Sequence, residues 1–326
     1  MTINFGLIGP GNIADRTLAP AINEVEGARL WRVTSRRVER AKEFAAKHDA
    51  GADNPAHDDY GEMLKDPDLD AVMISTPDRL HEKNGIQAAQ AGKHVLMEKP
   101  MVSSSEGGEV LLEACRSNGV KLGVAYHLRW HRGHRKLVRK VHDGVLGKLH
   151  HVRVQWSVKA EDDSNWRAYD DVGRWWSLAG IGTHGLDLIR WAMLPDCGEV
   201  VEIDSTIANS YWNSPHDETA MVNLKFESGA TAELTTSVLF ESEPEFKIYG
   251  SKGSAIARDT LGPHGGGTII LKEESLDFSQ KNPYEGEIRD FVESITGDRD
   301  PEVPGEEGLR NVEILETAAP DTKSQY

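Results

Sequence analysis

The chain has 326 residues, room for two domains with separate cores, and its 37 lysines and arginines against 53 aspartates and glutamates leave a net charge of −16. That balance argues against a nucleic-acid or anionic-membrane partner, which needs clustered cations, and leaves a small molecule as the expected ligand. Two cysteines, Cys115 and Cys197, are too few for a disulfide framework, and no apolar run approaches membrane-spanning length, so a soluble cytoplasmic protein is expected.

The first predicted element is a short apolar strand, Ile3 to Ile8, running straight into Gly9-Pro10-Gly11-Asn12-Ile13-Ala14 and a helical pattern that continues to about Glu24. Each small residue has a physical task there. Gly9 makes the tight turn, Gly11 lets a pyrophosphate approach the backbone, and Ala14 allows close packing of helix on strand. The helix N-terminus then offers free N–H groups and its positive dipole end to phosphates. The second strand, Leu30 to Thr34, ends at Ser35-Arg36-Arg37, with Arg40 one turn further on. An NAD site places Asp or Glu at this strand end for the ribose hydroxyls. Arginines around a serine suit a 2′-phosphate instead, so NADP is expected over NAD. A third strand, Asp70 to Ser75, leads through Thr76-Pro77-Asp78 into a helix from Leu80 to Ala91, with His81 in its first turn. The apolar run His94-Val95-Leu96-Met97 stops at Glu98-Lys99-Pro100, which reads as a buried strand opening at its carboxyl end onto polar space. A helix to about Ser117 and a strand from Lys121 to Ala125 complete a doubly wound parallel α/β sheet.

From Tyr126 the pattern changes. A basic amphipathic helix spans roughly His131 to His142, and His127, His131 and His134 share its spacing. No carboxylate or cysteine completes a ligand set, so a solvated basic face is expected and no metal. The strand His150 to Val158 is followed by unusually clustered tryptophans. Among these, Trp166 and Trp176 are candidates to stack on a sugar face while Arg167 bonds its hydroxyls, against the alternative of core or subunit packing. Gly180-Ile181-Gly182-Thr183-His184-Gly185-Leu186-Asp187 then opens a helix on which His184, Asp187 and Arg190 share one face. Four apolar-periodic strands follow, Val200 to Ala208, Thr219 to Phe226, Ala230 to Phe240 and Phe246 to Tyr249, and suggest an open antiparallel sheet. Two helices, Pro283 to Ile295 and Glu306 to Ala319, precede a polar tail, 320–326, expected to fray.

In this order, Gly9-x-Gly11-x-x-Ala14, Thr76-Pro77-x-x-x-His81, Glu98-Lys99-Pro100 and the Gly182-x-His184 motif resemble the glucose-fructose oxidoreductase / inositol dehydrogenase family over essentially the whole chain. The resemblance implies a Rossmann dinucleotide-binding domain over 1–125. It implies an α+β substrate domain over 126–319, whose sheet also pairs subunits into a homo-oligomer. Lys99 would reach both the nicotinamide ribose and the substrate, with a peptide bond to Pro100 that is often cis in the family. Tyr126 and Arg129 would line the substrate site, and His184 would stand near the substrate carbonyl. Gly182, His184 and Asp187 match the family's Asp-x-Gly-x-His-x-x-Asp pattern, but Gly180 stands where its first Asp belongs.

The expected activity is hydride transfer between NADP and a sugar, ketosugar or polyol carbon, with Lys99 and His184 catalytic. The expected cofactor contacts are Gly9, Gly11, Asn12, Ile13, Ala14, Ser35, Arg36, Arg40, Thr76, Pro77, His81, Glu98 and Lys99. Tyr126, Arg129, Trp166, Arg167, Trp176, Thr183 and Asp187 are expected toward the substrate. Two other readings compete: a cofactor-binding sugar sensor, which Gly180 favours, and an NAD-dependent glycosidase, which Ser35-Arg36 opposes.

Overall fold

A computed structural model describes residues 1–169 and 173–320, so the expected frayed tail lies, beyond Pro320, outside the described residues. The chain forms two compact units, Met1–Tyr126 with Tyr284–Val312, and His127–Pro283 with the segment from Glu313 onward.

The sheet of the first unit contains β1 (Ile3–Ile8), β2 (Ala28–Thr34), β3 (Ala56–His57), β4 (Ala71–Ile74), β5 (His94–Met97) and β6 (Leu122–Val124). Every pairing is parallel, in the order β3-β2-β1-β4-β5-β6. Its strands read as apolar runs because both faces are covered, and all four residues of β4 are buried. The connecting helices are α1 (Ala19–Glu24), α2 (Val38–Lys47), α3 (Tyr60–Leu64), α4 (His81–Gln90) and α5 (Ser105–Ser117). The strand order reverses between β1 and β4, and a ligand crevice forms at the carboxyl ends of strands where this happens. The turns preceding α1 are not regular. Pro20 has no N–H to give the Arg16 carbonyl, and the chain before it widens into one π-helical turn, Ala14–Leu18.

The second unit carries α6 (Arg132–His142), α7 (Thr183–Cys197) and an eight-stranded sheet. Its strands are β7 (Leu149–Ser157), β8 (Val200–Ala208), β9 (Thr219–Phe226), β10 (Thr231–Ser237), β11 (Glu245–Gly250), β12 (Gly253–Arg258), β13 (Thr268–Leu271) and β14 (Glu274–Ser275). The order β14-β13-β12-β11-β7-β10-β9-β8 is antiparallel except for the β10–β7 pair. That pair is parallel because β10 returns beside β7 only after the long connection through α7, β8 and β9. Burial alternates along β9, so one face of the sheet is covered and the other open. The covered face receives α7 closely: a Cβ on Gly185 would lie 2.7 Å from Leu234 and 2.8 Å from Val154.

Two last helices, α8 (Pro283–Thr296) and α9 (Gly305–Ala318), follow the sheet. Residues 284–312 belong with the first unit, whereas the sequence division placed them in the second domain. The reason lies in α8, whose Tyr284, Ile288, Phe291 and Val292 enter the core formed by Phe5, Leu7, Leu96 and Ala125. Among the described residues, no helix is long and apolar enough to cross a membrane. Cys115 and Cys197 are both buried free thiols.

Candidate active site

In the nucleotide unit, Gly9 has φ +88°, and a Cβ there would fall 2.5 Å from the Ser75 carbonyl oxygen, so only glycine fits where β1 and β4 end side by side. Gly11 is the opposite case. A Cβ on it would meet nothing nearer than 3.9 Å, which leaves an open cradle above the turn. The first helical bond runs from the Asp15 N–H to the Gly11 carbonyl, 2.9 Å. The N–H groups of Asn12, Ile13 and Ala14 therefore precede the intrahelical ladder, as an anion site needs. An open cradle and unengaged donors fit a dinucleotide pyrophosphate.

At the end of β2, Ser35 donates its N–H to the His57 carbonyl, 3.1 Å. Arg36, Arg37 and Arg40 are exposed, and among the described residues none forms an ion pair. The strand itself leads into Ser35 rather than into an acidic residue.

His81, an expected cofactor contact, is wholly buried, with Nδ1 2.9 Å from the Pro100 carbonyl oxygen and Nε2 2.9 Å from that of Thr76. The ring ties the loop after β4 to the loop after β5, so its work is to hold the two loops that flank the crevice. Thr76 adds a bond from its hydroxyl to the Asn84 side chain, 3.1 Å. Glu98 is buried and accepts the Lys99 N–H, 3.0 Å, and Lys99 itself is half-buried at the carboxyl end of β5. The Lys99–Pro100 peptide bond is cis.

In the second unit, Arg129 donates from Nε and Nη2 to the two oxygens of Asp187, 2.8 and 2.7 Å, with both side chains buried. The pair expected to meet substrate spends its charge internally and locks the 3-10 turn His127–Trp130 onto α7. One turn before Asp187, His184 packs edge-on against His127, ring centroids 4.7 Å apart, with Trp156 at 5.9 Å. Thr183 and Tyr126 are fully buried.

The helix bearing His184 begins as a second π-helical turn, Leu178–Gly182, a distortion frequent at functional sites. Its start is held by a residue the sequence did not single out. Asp217 accepts from Trp176 N, Ser177 Oγ and Leu178 N at 2.8, 2.6 and 2.7 Å, and complete burial pushes its carboxyl up to about 6. A Cβ added at Gly180 would meet nothing within 4 Å, so the place of the missing carboxylate is open space.

Trp176 is 1% exposed and packs with Ala168 and Val238, so it has no face left for a sugar and belongs to the core. Trp166 and Arg167 remain partly exposed and stack on each other, 4.0 Å from guanidinium carbon to ring centroid.

His131 and His134 are both buried and internally satisfied. His131 Nε2 donates to the Gly266 carbonyl, 2.8 Å, and its Nδ1 accepts the His134 N–H, 3.3 Å. His134 Nδ1 donates to the Leu128 carbonyl, and its Nε2 accepts from the Thr260 hydroxyl, 2.8 Å. Burial holds both rings below the usual imidazole range, His134 further with the help of the neighbouring His131 charge. His131 caps α6 and the His134 ring is buried beside it, rather than forming the solvated face the spacing suggested. Among the described residues no cluster of His, Cys, Asp or Glu is arranged to hold a metal.

With this geometry in view, comparison with known proteins gives consistent matches. Residues 3–126 match the oxidoreductase family with an NAD-binding Rossmann fold, and residues 134–256 match the GFO/IDH/MocA C-terminal domain. A 1,5-anhydro-D-fructose reductase from Ensifer adhaerens is 29% identical over 311 residues, 94% of this chain and 92% of that protein. Among solved structures, an aldose-aldose oxidoreductase from Caulobacter crescentus complexed with glycerol superposes with TM-score 0.88 at 24% identity, over 97% of this chain and 96% of the other. A 3-ketoreductase from Actinomadura kijaniata, in complex with NADP and TDP-benzene, gives TM-score 0.86 at 23% identity over 98% of both chains.

Proposed function

The chain belongs to the GFO/IDH/MocA oxidoreductase family, and from that premise we propose that it is an NADP-dependent enzyme interconverting a carbonyl and a hydroxyl on a sugar, ketosugar or polyol. The observation that carries the cofactor choice is the end of β2, where Ser35 replaces an acidic residue and Arg36, Arg37 and Arg40 stand exposed without ion pairs. A 2′-phosphate neutralises such a cluster, and Ser35 offers a ribose hydroxyl no carboxylate of its own. The NADP complex of the 3-ketoreductase supports the same reading.

With the pyrophosphate of the dinucleotide held in the Gly11 cradle, its nicotinamide would supply or accept the hydride. The protein's part is positioning and proton handling. In the reducing direction Lys99 polarises the carbonyl oxygen, and His184 hydrogen-bonds it and helps deliver the proton. His81 and Glu98 hold the loops from which Lys99 projects, while the Arg129–Asp187 pair holds the helix from which His184 projects. Trp166 and Arg167 offer a stacking face and hydrogen-bond donors suited to a polyhydroxylated ligand. The open face of the eight-stranded sheet is the proposed subunit contact of a homo-oligomer.

The test of the cofactor choice is equilibrium titration with NADPH and NADH. NADPH is expected to bind at least about tenfold more tightly, a difference of about 1.4 kcal/mol. Equal affinities, or tighter NADH, would overturn it.

A further inference from the structure

Three acidic side chains of the nucleotide unit are withdrawn from water near the strand end that carries Lys99: Glu98 after β5, and Glu287 and Asp290 on α8. They differ in what they hold. Glu98 accepts the Lys99 N–H at 3.0 Å. Asp290 accepts from Arg299 Nη2 at 2.7 Å and from the Glu302 N–H at 2.8 Å. Glu287 is 3% exposed, and both of its oxygens are buried with no hydrogen-bond partner among the described residues. It shares a helix face with Tyr284 and Phe291, which pack in the apolar core beside Leu96 of β5 and Phe5 and Leu7 of β1. Those neighbours bring no cation.

Where buried acids crowd together, those with donors keep their charge and the one without donors keeps a proton, because an unsolvated, unbonded carboxylate is far costlier than a neutral acid. We propose that Glu287 is a positioning residue for Lys99: a buried acid that stays protonated, so that Glu98 alone carries charge against the Lys99 backbone. Burial drives the Glu287 carboxyl well above the ordinary range, and the charges of Glu98 and then Asp290 drive it further the same way. Tyr284, one turn earlier, is raised by the same burial and by the charges of Glu98 and Glu287, and its hydroxyl bonds to Thr17 in the helix that opens the nucleotide turn. The groups facing Glu287 are therefore Glu98 from the end of β5, and Asp290 and Tyr284 from its own helix.

A carboxyl whose folded pKa is raised supports the folded arrangement at low pH and loses that support as pH rises through its ionisation. Ionised, Glu287 sets a second negative charge against Glu98 and loosens the strand end on which Lys99 stands. Alkaline pH should thus weaken nucleotide binding through a group that touches no ligand.

This inference deepens the reading of Lys99 given above, but the protonation of Glu287 can be measured without any turnover. Infrared spectra of the full-length protein at pH 8 are expected to show the carbonyl stretch of a buried carboxylic acid, and Glu287→Gln is expected to remove it. In the same variant, the alkaline fall of NADPH affinity should move up by at least about one pH unit or vanish. An absent band in the wild type, a band that survives in Glu287→Gln, or superimposable alkaline limbs would each overturn the proposal. Should Glu287→Gln fail to fold, Glu287→Met, of similar length and without polar atoms, is expected to fold and melt no lower than the wild type at pH 8. Collapse of both variants would show that a charged carboxylate is required and would equally overturn it. Failure of the oxidoreductase reading has a different signature: no turnover in the wild type, with the band and NADPH binding intact.

Discussion

At the scale of single residues, several polar side chains around the site are engaged by the protein itself. His81, Arg129 and Asp187 were legible as polar residues near a ligand edge, yet His81 is held by two carbonyls, and Arg129 and Asp187 by each other. Spacing shows which residues share a face, but a bidentate pair 58 positions apart has no local signature. Breaking that pair leaves a buried guanidinium without its counter-charge. Asp187→Asn is expected to lose about 3 kcal/mol of stability, read as a lower urea midpoint with an unchanged slope. A midpoint within error of the wild type would show that the pair is not needed to hold α7. Ser35 supports a prediction of a different kind. Ser35→Asp places a carboxylate beside the arginines, where it repels a 2′-phosphate and can accept from ribose hydroxyls. NADPH affinity should fall at least about tenfold while NADH affinity holds or rises. Parallel changes for both nucleotides would place the phosphate elsewhere.

Elements were legible where burial imposes a period. The alternation of β8 and β9 gave their bounds directly, and the apolar runs of β4 and β5 announced strands covered on both faces. The β12–β14 edge was not legible. Its strands are short, and the β13–β14 turn is built from Lys272 and Glu273 at φ +52° and +71°, where turn chemistry ordinarily calls for glycine or asparagine. The parallel β7–β10 pairing joins strands separated by a helix and two other strands, beyond the reach of any local signal. Glu287 did leave a trace, as an acidic residue inside the apolar stripe of α8, but the stripe itself reads as ordinary core. At the start of α6, the spacing of His131 and His134 suggested solvent, while their bonds to Gly266, Leu128 and Thr260 hold both rings in the interior. Held neutral in the folded chain, they gain protons only on unfolding. Their contribution is complete above about pH 6.5 and is lost as pH falls below it. The buried Asp217, raised to about 6, acts in the opposite sense over the lower part of that range, so the variant comparison is decisive. The melting temperature of His134→Gln should fall less steeply than that of the wild type between about pH 7.5 and 5.5. Equal slopes would remove His134 from the acid response.

For the whole molecule, two sheets divide the labour: one parallel and apolar, ending in phosphate and nicotinamide chemistry, the other open on one face, backing the helix that presents His184. The division itself was readable from the change of pattern at Tyr126. The return of 284–312 to the first unit was not, because an amphipathic helix does not declare which core it will join. Gly180 is the departure from the expected motif, and a Cβ added there would meet nothing within 4 Å. On the proposed reading, Lys99 and His184 handle the proton. The most direct measurement is therefore nicotinamide absorbance with NADPH against a panel of ketoses, osones and aldoses, and with NADP against polyols, for the wild type beside Lys99→Met. Turnover of at least one panel member by the wild type is expected, with a loss of at least about 10² in Lys99→Met and NADPH still bound by both. Bound NADPH without turnover across the panel, or equal turnover in the two proteins, would contradict that expectation.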